Sequence, residues 1–301
     1  MSIKLKPMKK QVIVITGASS GIGLATAEQA AAAGAKVALA ARSDLVIEQI
    51  AARIRNQGGD AVAVTCDVGR REDVENLAQV TIRHFGTIDT WINNAGTGMY
   101  GMLEEVHEGD ARRLFDTNFW GVVNGSLVAL PYLKAHGGAL INIGSEVSEA
   151  AVPLLGMYVA SKHAVKGFTD SLRIEIEQVQ QAPVAITLIQ PTAVDTPFPQ
   201  HSKNYMAQEP KLPEPMLDPH DVAKAILRAA VKPTRNKKVG AKATLNTWMA
   251  TLLPASAERF AAQQVDDLQA DEPPQNPEGA LFHASETTES AGQVHGLHAK
   301  G

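Results

Sequence analysis

The chain has 301 residues, 45% of them hydrophobic, 20% charged and 5% aromatic, with a formal net charge of −4. At about 100–200 residues per domain, that length holds one large domain or two small ones, with a sizeable core either way. The mildly acidic balance excludes a dedicated nucleic-acid or anionic-membrane binder, which needs a basic surface. A single cysteine, Cys66, excludes an internal disulfide and a cysteine-based zinc cluster.

The basic residues 1–10 precede an apolar run, 12–15, that is too short for a signal-peptide core or a membrane span. A soluble cytoplasmic protein is expected. Apolar, β-branched runs at 12–15, 37–40, 62–65, 90–92, 139–143 and 184–189 predict strands. Stretches of helical periodicity alternate with them at 23–33, 45–57, 72–85, 110–135 and 158–181. Strands that are apolar throughout are buried on both faces, which predicts an α/β fold: a doubly wound parallel sheet flanked by helices on both faces.

Residues 197–219 hold six prolines, and a loop of this length predicts a functional segment such as a substrate lid. Asp218 is placed to cap a helix over 222–231, and Val239-Gly240 reads as the end of a last strand. A helix is expected within 245–269, where Leu245, Trp248, Met249, Leu252, Phe260 and Val265 form a broken apolar stripe. From Asp271 onward the tail is rich in Pro, Glu, Ser, Gly and His and reads as irregular. His283, His295 and His298 in it are expected to be solvated, so no metal site is predicted. Cys66 reads as inert packing at a strand end.

The first strand runs into Thr16-Gly17-Ala18-Ser19-Ser20-Gly21-Ile22-Gly23 and then into a helix. Glycines there permit a tight turn whose N–H groups approach a pyrophosphate at the helix N-terminus. The spacing is G-x-x-x-G-x-G. Further elements follow in order: Asp67-Val68 after the third strand, Asn93-Asn94-Ala95-Gly96 after the fourth, and Asn118 within Asp116-Thr117-Asn118. Ser145 then lies thirteen residues before Tyr158-Val159-Ala160-Ser161-Lys162.

Together, over residues 11–196, these motifs resemble those of the short-chain dehydrogenases/reductases. The resemblance implies a single Rossmann-type catalytic domain and a hydride transfer between a nicotinamide cofactor and a carbonyl or alcohol carbon. It further implies that Gly17, Ser19, Ser20, Gly21, Ile22 and Gly23 hold the pyrophosphate and that Asp67, with Val68 beside it, reads the adenine. Asn94, Ala95 and Gly96 are implied on the adenosine side. The second strand ends in Ala41-Arg42, without the carboxylate that would bond the ribose hydroxyls of NAD, and a guanidinium there suits the extra phosphate of NADP(H).

Tyr158 and Lys162 stand four apart on one helix face, and an adjacent ammonium is expected to lower the phenol pKa for general acid–base work. By resemblance Lys162 also bonds the nicotinamide ribose, Ser145 donates to the substrate oxygen, and Asn118 holds a proton-relay water. Pro191, Val194 and Thr196 stand where the nicotinamide carboxamide is held. Thr192 replaces the glycine usual in that loop.

Candidate pocket walls are Gly98, Met99, Glu146, Leu154, Leu155, Met157, Phe198 and Met206, with Glu146, Leu155 and Phe198 singled out for the substrate. The set is mostly apolar and predicts an apolar alcohol or ketone. Glu146 either recognises a polar or cationic group or caps the next loop. Helices 110–135 and 158–181 resemble those through which the family forms homodimers or homotetramers. The catalytic domain is expected over 1–240, with the lid at 197–219. A C-terminal extension over 241–301, helical then irregular, is expected to pack on it through Trp248, Leu252 and Phe260. Two other classes compete: a catalytically silent dinucleotide-binding sensor or scaffold, and an isomerase or epimerase with a tightly held cofactor.

Overall fold

The computed structural model describes residues 3–240, 254–263, 265–284 and 292–296. The chain begins β1 (Val12–Thr16), α1 (Gly21–Ala32), β2 (Lys36–Ala41), α2 (Asp44–Asn56), β3 (Asp60–Thr65) and α3 (Arg71–Phe85). It continues with β4 (Thr90–Asn93), the short β5 (Met99–Tyr100), α4 (Glu108–Phe115), α5 (Gly121–His136), β6 (Gly138–Ile143) and α6 (Gly156–Arg173). Then come β7 (Val184–Pro191), α7 (Phe198–His201), β8 (Lys203–Asn204), α8 (Pro219–Val231), β9 (Asn236–Val239) and α9 (Pro254–Gln263).

Seven strands form one parallel sheet in the order β3-β2-β1-β4-β6-β7-β9. β1 is buried at all five positions, and its alternating side chains feed two cores. Ile13 and Ile15 pack with α1, α2 and α8 through Leu24, Ile47, Ile50 and Ile226. Val14 packs on the opposite face with α3, α5 and α6 through Leu77, Leu133 and Leu172. Burying a Val, Leu or Ile side chain contributes roughly 1.5–3 kcal/mol, so both faces of the sheet are strongly held. Strand order reverses between β1 and β4, which opens a crevice at their carboxyl ends where such sheets bind ligands.

The expected helix over 110–135 is interrupted. Asp116–Trp120 adopts a π-turn between α4 and α5, and α6 likewise passes into a π-turn at Ile174–Val179. The proline-rich 197–219 segment contains α7 and β8, and β8 pairs in parallel with β5. Asp218 caps α8 as expected, accepting from the His220 N–H at 2.8 Å. Arg173 secures the end of α6: it donates to the Ile186 carbonyl, Asp170, the Arg235 carbonyl and Asn236.

Within 245–269, α9 and a short 3₁₀ turn at Asp266–Leu268 are described, while Leu245, Trp248, Met249 and Leu252 lie outside the described residues. Phe260 is 52% exposed and shares a cavity wall with Leu155 and Tyr158. Cys66 is buried, and its thiol is pushed up to about 12 by that burial, in keeping with inert packing. Among the described residues, no helix is long and apolar enough to cross a membrane.

Candidate active site

The glycine turn is fitted against the end of β4. At Gly17 φ is +64°, and a Cβ there would lie 2.7 Å from the Ala95 Cα; at Gly23 it would lie 2.0 Å from the Gly17 carbonyl oxygen. Asn94 Nδ2 donates to the Thr16 and Gly17 carbonyls, both at 3.0 Å. The Thr16 hydroxyl accepts from the Asn94 and Ala95 N–H groups at 3.0 and 3.1 Å. These bonds hold the turn open over a cleft of about 210 Å³. Of the residues expected between Gly17 and Gly96, only Gly23 is not in its lining; its role is to let α1 approach the turn.

A second cavity of about 480 Å³ adjoins the first, and Ile22, Asn94, Gly96, Thr196 and Phe198 line both. Ser145, Tyr158 and Lys162 lie in the wall of this second cavity, together with Pro191, Val194 and Thr196. The loop after β6 carries Ser145, whose hydroxyl accepts from the Val147 N–H at 3.3 Å and bonds the Tyr158 hydroxyl. The first turn of α6 carries Tyr158, with its ring 5.2 Å from that of Phe198.

One turn later, Lys162 is buried and donates to the Ile143 carbonyl at 2.9 Å, with its ammonium 5.6 Å from the Tyr158 ring centroid. Burial lowers its pKa to about 8. Burial also pushes the Tyr158 phenol up to about 12, against the Ser145 bond that lowers it, with Glu146 raising it further. The expected lowering by Lys162 is therefore not what the site shows: removal from water dominates, and Tyr158 is a protonated donor at neutral pH.

Asn118 is wholly buried in the π-turn. Its Oδ1 accepts from the Thr97 N–H at 2.9 Å, and its Nδ2 donates to the Thr97 carbonyl at 2.9 Å and the Ser161 hydroxyl at 3.1 Å. The residue thus fastens the loop after β4 to α6, close to Gly96 and Lys162. π-Turns commonly mark functional positions in helices. Thr192 keeps the loop regular despite replacing glycine: its N–H continues the pairing with Val239 and its hydroxyl donates to Glu146 at 2.9 Å.

The two cavities and the glycine cradle fit an extended dinucleotide laid across the carboxyl ends of β1 and β4. Arg42 lies in the first cavity at the end of β2. Comparison with known proteins agrees: residues 11–206 match the short chain dehydrogenase family. The protein is a short-chain dehydrogenase/reductase. An uncharacterized oxidoreductase, YxnA, of Bacillus subtilis is 42% identical over 94% of this chain and 80% of its own. An 11-beta-hydroxysteroid dehydrogenase of Sesamum indicum is 35% identical over 75% of this chain and 67% of its own.

Two solved structures share the fold. An alcohol dehydrogenase of the archaeon Thermococcus sibiricus, complexed with 5-hydroxy-NADP, is 32% identical with a TM-score of 0.65, covering 76% of this chain and 94% of its own. A short-chain dehydrogenase/reductase of Burkholderia phymatum, in complex with NAD, is 25% identical with a TM-score of 0.72, covering 89% and 99%.

Of the expected pocket walls, this short-chain dehydrogenase/reductase brings Glu146, Leu155 and Phe198 to the second cavity; Gly98, Met99, Leu154, Met157 and Met206 are not in its lining. Met99 packs instead against Leu114 and Leu281. Sequence reasoning missed Arg113 and His201. Arg113, from α4, donates to Asp67 at 2.6 Å; the partners are 46 positions apart and no local motif links them. His201 lines the first cavity, where burial and the nearby Arg42 charge lower its pKa to about 4, so it is neutral there.

Proposed function

We propose that the protein is an NADP(H)-dependent oxidoreductase acting on a carbonyl or alcohol carbon, with Tyr158 as general acid and base. The observation that carries this reading is the meeting of Ser145, Tyr158 and Lys162 where the glycine-turn cleft opens into a second cavity. The related structures include one with NAD and one with an NADP derivative, so the choice of cofactor rests on Ala41-Arg42 at the end of β2.

The chain's own groups divide the work. Gly17, Ser19, Ser20, Gly21 and Ile22 present the turn to the pyrophosphate, and Arg42 takes the 2′-phosphate. Asp67 serves the adenine amino group; its carboxylate oxygens, already bonded to Gly69 N–H and Arg113, have further lone pairs to accept with. Val68, Asn94, Ala95 and Gly96 wall the adenosine side. Pro191, Val194 and Thr196 face the carboxamide. Bound NADP(H) supplies or accepts the hydride.

Tyr158 gives its proton to the substrate oxygen during reduction and takes it back during oxidation. Ser145 donates a hydrogen bond to the same oxygen as negative charge develops there. Lys162 bonds the ribose hydroxyls, and its ammonium is the next source of protons behind Tyr158. Asn118 has its side chain committed to Thr97 and Ser161, which leaves the relay water to its main-chain carbonyl. Leu155 and Phe198 suit an apolar ketone or alcohol.

Residues 1–240 are proposed as the catalytic unit and 241–301 as an extension of it. The protein is proposed to be cytoplasmic, and a homo-oligomer formed through α5 and α6 is supported by exposed Trp120 and Leu127 beside and on α5, and by Ile174 and Val179 after α6.

Replacing Arg42 with Ala is expected to weaken NADPH binding about 10–100-fold, since a hydrogen bond to a charged group contributes roughly 1.5–3 kcal/mol. NADH binding is expected to change by less than about twofold on the same scale. Fluorescence titration with both cofactors checks this, and a clear preference of the wild type for NADH overturns the reading of β2.

The free-enzyme pH dependence is also fixed in direction. Lys162 carries its charge below about 8 and loses it above. The pH profile of kcat/KM for NADPH, which reports free-enzyme ionisations, is expected to be level near neutrality and to fall above about 8. A profile that stays level through about pH 9.5 contradicts the role given to the ammonium.

A further inference from the structure

The C-terminal extension reaches back to the adenosine end of the cofactor cleft. Arg42 Nη1 donates to the Leu281 carbonyl at 3.1 Å, and its Nη2 donates to the Ala280 carbonyl. Arg113 Nε donates to the same Leu281 carbonyl at 3.2 Å, so one peptide oxygen bridges two guanidinium groups. The segment is seated firmly: Leu281 is 1% exposed and packs on Met99 and Leu114, and the Ala280 N–H donates to the His201 carbonyl at 2.9 Å. Ala280 and Ala284 line the cleft itself.

Charge decides what this arrangement is built to meet. Burial and the nearby Arg113 disfavour the Arg42 charge, and Asp67, which also bonds Arg113, favours it, so one carboxylate is shared between two guanidiniums. A neutral carbonyl is a weak acceptor for a pair of guanidiniums, whereas a phosphate monoester carries about −1.5 to −2 charge and accepts from both in charge-assisted bonds. Resting on the NADP(H) reading above, we propose that residues 280–284 act as an intramolecular competitor for the cofactor's 2′-phosphate. Arg113 is the second cation of that phosphate site. The phosphate displaces the Ala280 and Leu281 carbonyls from Arg42 and Arg113, and a dinucleotide without it leaves them in place. A closed segment lowers the apparent affinity for the phosphorylated ligand by the fraction of molecules in which the site is open.

Adenosine 2′,5′-bisphosphate and adenosine 5′-monophosphate serve as probes, which removes the nicotinamide and the reaction from the readout. Hydrogen exchange of the full chain is followed at residues 280–284, with binding constants measured by calorimetry. The bisphosphate is expected to speed exchange there and the monophosphate to leave it unchanged. Leu281→Ala, which trims the anchoring side chain and keeps the backbone carbonyl that both arginines bond, is expected to tighten bisphosphate binding about three- to tenfold by raising the open fraction. Arg113→Gln is expected to lower the bisphosphate-to-monophosphate affinity ratio about tenfold.

A wild type that prefers the bisphosphate while exchange at 280–284 stays constant or slows overturns the competitor role, because the segment is then a fixed wall. Weaker bisphosphate binding by Leu281→Ala has the same meaning, and an unchanged ratio in Arg113→Gln removes the second cation. Equal affinity of the wild type for the two probes overturns the NADP(H) reading itself, and the proposal with it. The exchange measurement on wild type keeps the test decisive even where a variant folds poorly.

Discussion

Replacing Tyr158 with phenylalanine is expected to lower carbonyl reduction by about 10²–10⁴-fold, the usual contribution of a positioned general acid. The substitution keeps the ring, its contact with Phe198 and the start of α6, and deletes the hydroxyl bonded to Ser145. Burial holds that phenol at about 12, so at neutral pH it is a proton donor in place beside Ser145. The loss is expected in kcat, because the proton is transferred in the transition state and not in the ground-state complex. NADPH binding is expected to change by less than about tenfold, because the substitution leaves Lys162 and the glycine turn in place. Undiminished turnover in this variant assigns the proton to another group and contradicts the mechanism.

Replacing Arg173 with methionine is expected to destabilise the fold by about 3 kcal/mol, the lower end of the range for removing one partner of a buried ion pair. The Arg173 side chain is 3% exposed and makes four hydrogen bonds, one to Asp170 within α6 and three that join α6 to β7 and to the start of β9. Asp170 retains Lys166 at 2.7 Å and is partly exposed, which places the cost at the lower end. Since α6 carries Tyr158 and Lys162, the same bonds hold these two residues against the sheet. For a chain of this size a loss of about 3 kcal/mol corresponds to roughly 6–12 °C in melting temperature. Thermal or urea unfolding checks it, and a loss below about 1 kcal/mol shows that the buried network does not support α6.

The parts of the site legible in the sequence are those written as local pattern. Gly17, Gly21 and Gly23 announce a turn, and the apolar runs before Asn94, Ser145 and Pro191 place these residues at the carboxyl ends of strands. The sequence does not announce the π-turn at Asp116–Trp120, because its cause is tertiary: Asn118 is bound on both sides by Thr97 and Ser161. The ionisation of Tyr158 was open to error for a related reason. A spacing of four puts Lys162 nearby, but only the folded chain shows its ammonium bonded to the Ile143 carbonyl and the phenol desolvated. The contact of Arg42 with Ala280 spans 238 positions, and the extension's Phe260 shares a cavity wall with Leu155 and Tyr158. Long-range partners of this kind have no sequence period to reveal them.

The central claim is a hydride transfer at the carbon whose oxygen Tyr158 serves. It is tested most directly by incubating the enzyme with NADPH deuterated at the reactive ring carbon and a panel of apolar ketones, then locating the label by mass spectrometry and NMR. Deuterium on the carbinol carbon of an alcohol product is the predicted result, and it is expected to vanish in Tyr158→Phe. Tight cofactor binding with no label in any product across the panel contradicts the account and favours a dinucleotide-binding sensor built on the same fold.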